Sequence, residues 1–290
     1  MQLNDAKELF LLDGQARRLT SSTLKFYRLK IGDFIHWLQD NHITGVTDVT
    51  PIDIRRYLVH LQQRGLRDSS QHDHARAVKT FFNYCVRDEL IDKSPFDKVK
   101  MPKQVLRLPV VLSDDEIRRA LRVKLQRNRL IVRFILDSGV RAAELLALNV
   151  EDVDLATGVV VVKLGKQQKQ RLTIIGGITR KEVKRWLIER NHPAGYEPLV
   201  TATTTGARLS MPGLMSAFRL MQEETGIDNL TTHTLRRTMA TKSLENGMDA
   251  YVLANLLGHT DLQMLRRYAA VNQKLVREVG ERYSVIDNML

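Results

Sequence analysis

Apolar side chains recur at helical spacing through most of this chain, and this periodicity restricts the fold to a mainly α architecture. One helical face, for example, is predicted from Leu24, Tyr27, Ile31, Phe34, Ile35 and Leu38. Two short segments differ: residues 159–164 form a β-branched run and residues 171–175 its predicted return strand, with 165–170 as the hairpin loop. The sequence therefore predicts a mainly α fold with one small antiparallel sheet.

The first 100 residues predict a small bundle of helices. Thr20 and its two serine neighbours are good N-caps for the helix just described. Thr50 and Pro51 provide an N-cap and a first-turn proline for a second helix, which Gly65 ends. A third helix is predicted over residues 70–88. It contains Cys85, the only cysteine, whose apolar setting favours a buried thiol over a nucleophile.

A basic, proline-interrupted stretch separates this bundle from the rest of the chain. Pro102 and Pro109 break any regular element there. Ser113 and Glu116 then form a capping-box pattern that opens a larger, mainly helical region. The predicted organisation is a domain over residues 1–100, a linker over 101–109 and a second domain over 110–290.

The charge of the chain favours a polyanionic partner. Its 45 Lys and Arg outnumber its 33 Asp and Glu, for a net charge of +12, and nucleic acid is the commonest such partner. Contacts to DNA are predicted for Arg76 and Lys79 on the third helix and for Lys100, Lys103 and Arg107 in the basic stretch at residues 98–109. An ordinary solvated basic surface is the alternative.

Targeting and membrane signals are absent from the sequence. The N-terminal residues have no signal-peptide pattern, and no apolar run approaches the ~20 residues that span a bilayer. A cytoplasmic protein without a membrane partner is expected.

Three segments of the second region contain residues suited to phosphate chemistry. Residues 138–145, SGVRAAEL, place Arg141 after a glycine break at a helix start. Taken alone, Arg141 with Glu144 three residues later is typical of a surface pair. Residues 232–237, THTLRR, place His233 and Arg236 on one helical face, where they could bind one phosphate together. In isolation this pattern is more typical of a capping or core histidine beside a solvated arginine.

The third segment ends in a tyrosine. Residues 256–261, LLGHTD, indicate a helix that stops at Gly258 and His259, and Tyr268 follows nine residues after the histidine. Leu262 and Leu265 precede Tyr268 at helical spacing, so a helix-face aromatic is the alternative for that tyrosine. Tyr251 and Tyr283 lack this spacing. A metal site at the two histidines is disfavoured because no cysteine or carboxylate cluster at ligand spacing accompanies them.

Together these segments have the inventory for phosphodiester cleavage through a covalent phosphotyrosine. Forked guanidinium groups stabilise the extra charge on the non-bridging oxygens of the transition state. A nucleophile must attack in line, and a proton must reach the leaving 5′ oxygen. A phosphotyrosyl ester retains the bond energy of the cut strand, which attack by water would lose.

The three segments, in this order and spacing, resemble the tyrosine recombinase (phage integrase) family, of the simple two-domain Xer-like and Cre-like type. The family pattern TGLRxxEL is matched by residues 138–145, HxLRHTxAT by 233–241 and LLGHxxxxxTxxY by 256–268, with Leu265 at the position of the threonine. Its GKGxKxR hairpin pattern appears as GKQQKQR at 165–171, with Gln167 in place of the second glycine. Arg237 stands where the family often has a second histidine.

The resemblance implies a role for each matched residue. Arg141 and Arg236 clamp the scissile phosphate, His233 accepts a proton or binds the phosphate, and His259 hydrogen-bonds it. Tyr268 is the nucleophile. Lys166 is the general acid, although Lys163 and Lys169 lie close by. The adjacent Arg237 adds a cation that could contact DNA.

The resemblance also implies an architecture and partners. A SAM-like core-binding domain and a catalytic domain would form a C-shaped clamp on double-stranded DNA, in a nucleoid-associated enzyme without metal or nucleotide cofactor. Four copies, monomeric in solution, would assemble on two DNA sites and act through a Holliday junction, and accessory proteins could take part. Residues 272–290, with an apolar stripe, would dock on a neighbouring subunit or fold back. Alternatives are a topoisomerase-like enzyme and a catalytically inactive DNA-binding protein.

Overall fold

The structure is a computed structural model that describes residues 1–103, 110–163 and 170–258. The chain divides into two compact units, Met1–Arg107 and Leu108–Leu290, here called unit 1 and unit 2. The predictions for Arg107, Lys166, His259, Tyr268 and the tail at 272–290 concern residues outside the described ranges.

Unit 1 is a helical bundle whose helix ends follow the local capping signals. The Thr20 hydroxyl accepts the backbone N–H of Thr23 at 3.2 Å. Thr50 and Asp53 form a complete capping box, and Gly65 lies just past that helix with a φ of 70°. The predicted helix at 70–88 begins two residues earlier than expected. The helices are α1 (Leu3–Ala16), α2 (Ser21–Asp40), α3 (Pro51–Gln63) and α4 (Asp68–Arg87).

Aromatic side chains fill the core of unit 1. Phe34 contacts Tyr57 and Phe82 edge to face, with ring centroids 4.8 Å and 6.1 Å apart. Cys85 lies in the same core, and burial raises the pKa of its thiol to about 12. The predicted buried thiol is therefore confirmed.

A polar network crosses this apolar core and fixes the protonation of a histidine. Tyr57 Oη lies 2.9 Å from Asp33 Oδ2 and 2.7 Å from His74 Nδ1. Because the phenol donates to the carboxylate, His74 Nδ1–H must donate to the phenol, and Nε2 then accepts from the ammonium of Lys30 at 2.8 Å. Arg64 closes the network at 2.9 Å from Asp33. The network thus requires a neutral His74.

Unit 2 combines helices with a single hairpin in its described residues. Strand β1 pairs with β2 antiparallel, in a register that runs from Val159↔Ile174 to Lys163↔Gln170, which confirms the predicted strand pair. The capping box of Ser113 and Glu116 is also present. The elements are α5 (Asp114–Ala120), α6 (Gln126–Ser138), α7 (Ala142–Ala147), β1 (Val159–Lys163), β2 (Gln170–Ile174), α8 (Gly177–Glu189), α9 (Met211–Thr225), α10 (Thr232–Glu245) and α11 (Ala250–Leu257).

Helix α6 lies at the centre of the core of unit 2. Leu130, Ile131, Phe134 and Ile135 are fully buried along it, and the helix is in contact with both α8 and α10. In the described ranges no helix has the length and apolar character needed to cross a membrane.

The neutral His74 gives unit 1 a pH-dependent stability. Burial, and then the charge of Lys30, lower the His74 pKa from 6.5 to about 4. Between these two pH values the His74 imidazole binds a proton in the unfolded chain and stays neutral in the folded chain. Stability is therefore complete above about pH 6.5 and falls as the pH drops toward 4, by at most about 1.4 kcal/mol per pH unit.

Urea unfolding of unit 1, followed by Trp37 fluorescence in a Trp186→Phe background, measures this slope. His74→Gln should remove the histidine contribution. His36→Gln is the control, because the His36 side chain on the same bundle is 78% exposed. Equal pH slopes for His74→Gln and its parent would contradict the assignment.

Candidate active site

A glycine turn sets the position of Arg141. Helix α6 ends at Gly139, whose φ is 61°, and Arg141 is the N-cap of α7. A Cβ on Gly139 would lie 2.6 Å from Leu257 Cδ2, so only glycine permits both the left-handed turn and the close approach of α11. The predicted glycine break before Arg141 is confirmed.

Glu144 is the carboxylate around which the arginines gather. Its Oε2 accepts the backbone N–H of Arg141 at 2.8 Å, and its Oε1 accepts Arg141 Nη1 at 2.7 Å. Arg171 Nη2 lies 2.6 Å from Oε2, and Arg236 Nη1 lies 4.0 Å from it. Glu144 is only 8% exposed, so the surface-pair interpretation of Arg141 and Glu144 is wrong.

The pKa of Glu144 reflects these partners. Burial by itself raises this pKa, but the hydrogen bond from the backbone of Arg141 and the charge of Arg171 outweigh burial and hold it below its usual range. One ionised carboxylate thus faces three guanidinium groups, which leaves an excess of positive charge suited to an anion such as a phosphate.

On helix α10 the side chain of Arg236 is buried and that of His233 is exposed. Arg236 is 7% exposed and donates to the carbonyl of Gly139 and, at 2.7 Å, to that of Leu257. His233, in the first turn of the same helix, is exposed. The alternative of a capping or core histidine beside a solvated arginine is therefore wrong, because Thr231 is the N-cap of α10 and the burial of His233 and Arg236 is reversed.

The carboxyl end of α11 binds all three arginines. Its last carbonyls accept in sequence: Leu256 from Arg171, Leu257 from Arg236 and Gly258, at a long 3.4 Å, from Arg141. Gly258 ends the helix with a φ of 64°, as predicted. Cations at a helix C-terminus satisfy its unpaired carbonyls and its partial negative charge.

The structure brings together two of the six predicted catalytic residues, Arg141 and Arg236, and leaves His233 exposed on the helix of Arg236. Lys166, His259 and Tyr268 lie outside the described residues, as does Arg107. Among the predicted DNA contacts, Arg76 pairs with Asp73 at 3.1 Å and lies over the ring of Phe26. The others that are described are exposed side chains: Lys79, Lys100, Lys103 and Arg237.

Sequence reasoning missed the importance of Glu144 and Arg171. Both belong to the motifs already quoted, at the end of the first segment and of the hairpin pattern. Their presence in the motifs was the available signal, but only the fold shows that they contact each other. In the described part of the chain, no group of three or more His, Cys, Asp or Glu side chains could hold a metal ion.

Comparison with family models gives two matches. Residues 111–274 match the phage integrase family, and residues 10–89 match the phage integrase N-terminal SAM-like domain.

Individual proteins agree with these matches. Tyrosine recombinase XerD of Oceanobacillus iheyensis is 27% identical over 281 residues, which cover 92% of this chain and 93% of the relative. A crystal structure of XerA recombinase is 26% identical, with a TM-score of 0.54 and coverage of 96% and 98%. The Tn1549 transposon integrase in complex with transposon right end DNA is 18% identical, with a TM-score of 0.76 and coverage of 98% and 100%, which shows a shared fold.

The buried position of Glu144 predicts a large loss of stability on neutralisation. Glu144→Gln leaves Arg171 buried without a counter-charge, so unit 2 should lose about 3 kcal/mol at neutral pH. Urea unfolding followed by Trp186 fluorescence in a Trp37→Phe background measures the loss. Glu151→Gln is the matched control, because Glu151 is exposed, and it should change stability by less than about 0.5 kcal/mol. Similar losses for both variants would contradict the assigned role of Glu144.

Proposed function

Because the chain belongs to the phage integrase family, we propose that it is a site-specific tyrosine recombinase, which cuts and rejoins DNA through a covalent 3′-phosphotyrosine. The observation that supports this most is the convergence of Arg141 and Arg236 on Glu144 and the end of α11. These are the two arginines that the family pattern assigns to the scissile phosphate. The net charge of +12 supports a DNA partner.

In the proposed reaction the two arginines bind the non-bridging oxygens. Arg141 is 41% exposed, so part of its guanidinium is open to a ligand, while Arg236 is a buried member of the cluster formed by Arg141, Arg171 and Arg236 around Glu144. The phosphate gains negative charge as it becomes five-coordinate, and fixed cations stabilise that state without reorganising. The exposed His233 is available to the same phosphate, together with His259.

Tyr268 supplies the nucleophile in this proposal. Its phenol gives up its proton, for which His233 is the proposed acceptor, and the phenol oxygen forms a bond to phosphorus as the bond from phosphorus to the 5′ oxygen breaks. The tyrosine is left esterified to the 3′ phosphate. Lys166 gives a proton to the departing 5′ oxygen. In the reverse step a 5′ hydroxyl from another strand attacks the phosphotyrosine and releases Tyr268. No bond energy is lost, so no high-energy cofactor is required.

The proposal extends to the assembly. Four copies on two DNA sites would exchange strands in two rounds through a Holliday junction. Integration, excision and resolution of DNA dimers all follow from the same exchange, and the choice among them depends on the position of the two sites.

Tyr268→Phe should abolish covalent attachment to DNA. Because this variant would bind without cutting, it can first be used to select target duplexes from a pool with a randomised centre. The selected duplex, nicked so that the released fragment diffuses away, should trap the wild-type protein as an adduct that resists denaturation. Tyr251→Phe is the control, because Tyr251 is an exposed tyrosine on α11, and it should react like the wild type.

Two results would contradict this assignment: no adduct with the wild type, or an adduct that survives Tyr268→Phe.

A plasmid with two copies of the selected site then distinguishes recombination from topoisomerase-like activity. Exchange between the sites is expected. Relaxation of supercoils without exchange would indicate the topoisomerase-like alternative.

Lys166→Ala should slow cleavage, and a better leaving group should restore the cleavage rate of the variant. Replacing the 5′ bridging oxygen by sulfur gives a thiolate, which departs without a proton. The variant should therefore be defective on normal DNA by about 100-fold or more and near wild type on the sulfur-containing duplex. Lys163→Ala and Lys169→Ala are the controls. Rescue of Lys169→Ala instead would assign the proton to Lys169.

A further inference from the structure

Strand β2 has an unusual distribution of side chains. Its buried positions are the polar residues Arg171 and Thr173, whereas Leu172 and Ile174 are 59% and 50% exposed. Alternation on a strand normally turns the apolar set toward the core. The register of β2 therefore buries an arginine and leaves two apolar side chains exposed.

The buried arginine makes contacts to two other elements. Arg171 Nη2 donates to Glu144 on α7 at 2.6 Å, and Nη1 donates to the carbonyl of Leu256 on α11. Thr173 anchors the same face of β2, because its hydroxyl donates to the carbonyl of Ser138 at 2.7 Å. The fork of one guanidinium thus joins β2, α7 and the end of α11.

The end of α11 is shaped to accept this side chain. A Cβ on Gly258 would lie 2.6 Å from Arg171 Cδ and 3.0 Å from its Nε. The absence of a side chain at Gly258 therefore allows the arginine stem to lie flat against the helix end. The chain continues from this point to His259 and, ten residues after Gly258, to Tyr268.

We propose that Arg171 is a positioning residue for strand cleavage, which holds the Glu144 carboxylate that orients Arg141 and holds the end of α11 that leads to His259. This role rests on the proposed recombinase function. Glu144 accepts hydrogen bonds from Arg141 through both of its oxygens, and Arg171 donates to one of those oxygens, Oε2. Without Arg171 the short hydrogen bonds to the carboxylate come from Arg141 alone, so the Arg141–Glu144 pair loses the contact that fixes its orientation relative to β2.

Lysine cannot replace this arginine. An ammonium retains the charge, but it lacks the planar fork that reaches Glu144 and the Leu256 carbonyl in fixed directions. Arg171→Lys should therefore leave folding and DNA affinity intact while it misplaces Arg141. A misplacement of about 1 Å costs about 100-fold in the rate of a chemical step.

The test compares single-turnover adduct formation on two nicked duplexes of the selected sequence. One has a normal scissile phosphate, and the other has a methylphosphonate, in which a neutral methyl group replaces one charged oxygen. Because less charge then needs to be stabilised, the orientation of Arg141 matters less. Arg171→Lys should lose about 100-fold on the phosphate and about tenfold or less on the methylphosphonate, with DNA affinity unchanged in a binding titration.

Arg133→Lys is the matched control. Arg133 also pairs with a buried carboxylate of unit 2, that of Glu182, at 3.0 Å. Among the described residues its side chain forms no hydrogen bond or ion pair with Glu144, the carboxylate of the arginine cluster. It should cleave both duplexes like the wild type. An equal loss for the two variants, or an equal loss of Arg171→Lys on both duplexes, would mean a general folding defect and would overturn the proposal.

The remaining outcomes are also decisive. A wild type that forms no adduct contradicts the recombinase function and the role of Arg171 with it. A wild-type rate for Arg171→Lys contradicts the role of Arg171 alone.

Gly258→Ala provides a second variant that displaces the arginine stem without removing a charge. If Arg171→Lys does not fold, Gly258→Ala must show the same unequal loss on the two duplexes, and equal losses would overturn the proposal.

Discussion

The carboxyl end of α11 is the feature on which the rest of the site depends. A helix leaves its last carbonyls without intrahelical partners, and here three in succession, those of Leu256, Leu257 and Gly258, are satisfied by Arg171, Arg236 and Arg141. The arginines come from a strand and two helices that are distant in sequence. One helix end thus collects the charges that a phosphate requires and adjoins the segment that contains the proposed nucleophile.

Electrostatic balance explains how such a cluster is tolerated in a folded protein. Three guanidinium groups around one carboxylate repel one another, and the two that are buried, those of Arg171 and Arg236, also lose hydration. The single carboxylate of Glu144 and the partial negative charge of the helix end offset only part of that charge. The remaining positive charge attracts an anion, and the negative charge of a bound phosphodiester would neutralise it. Stability and function therefore draw on the same contacts.

Local signals in the sequence predicted several helix ends, because caps depend on neighbouring residues: Thr50 with Pro51, Ser113 with Glu116, and the glycine at 258. Burial was harder to predict. Apolar alternation alone would predict that Leu172 and Ile174 face inward, yet Arg171 and Thr173 are the buried residues of β2 and form hydrogen bonds to other elements there. Likewise the spacing of His233 and Arg236 predicted one helix, but only tertiary contacts reveal that the arginine is the buried member of the pair.

The central claim is that this cluster serves attack by one particular tyrosine on a phosphodiester. Tandem mass spectrometry of the trapped adduct, after digestion with protease and nuclease, tests it most directly. The expected product is a nucleotide attached through its 3′ phosphate to the phenol oxygen of Tyr268. Attachment to any other residue, or through a 5′ phosphate, would contradict it.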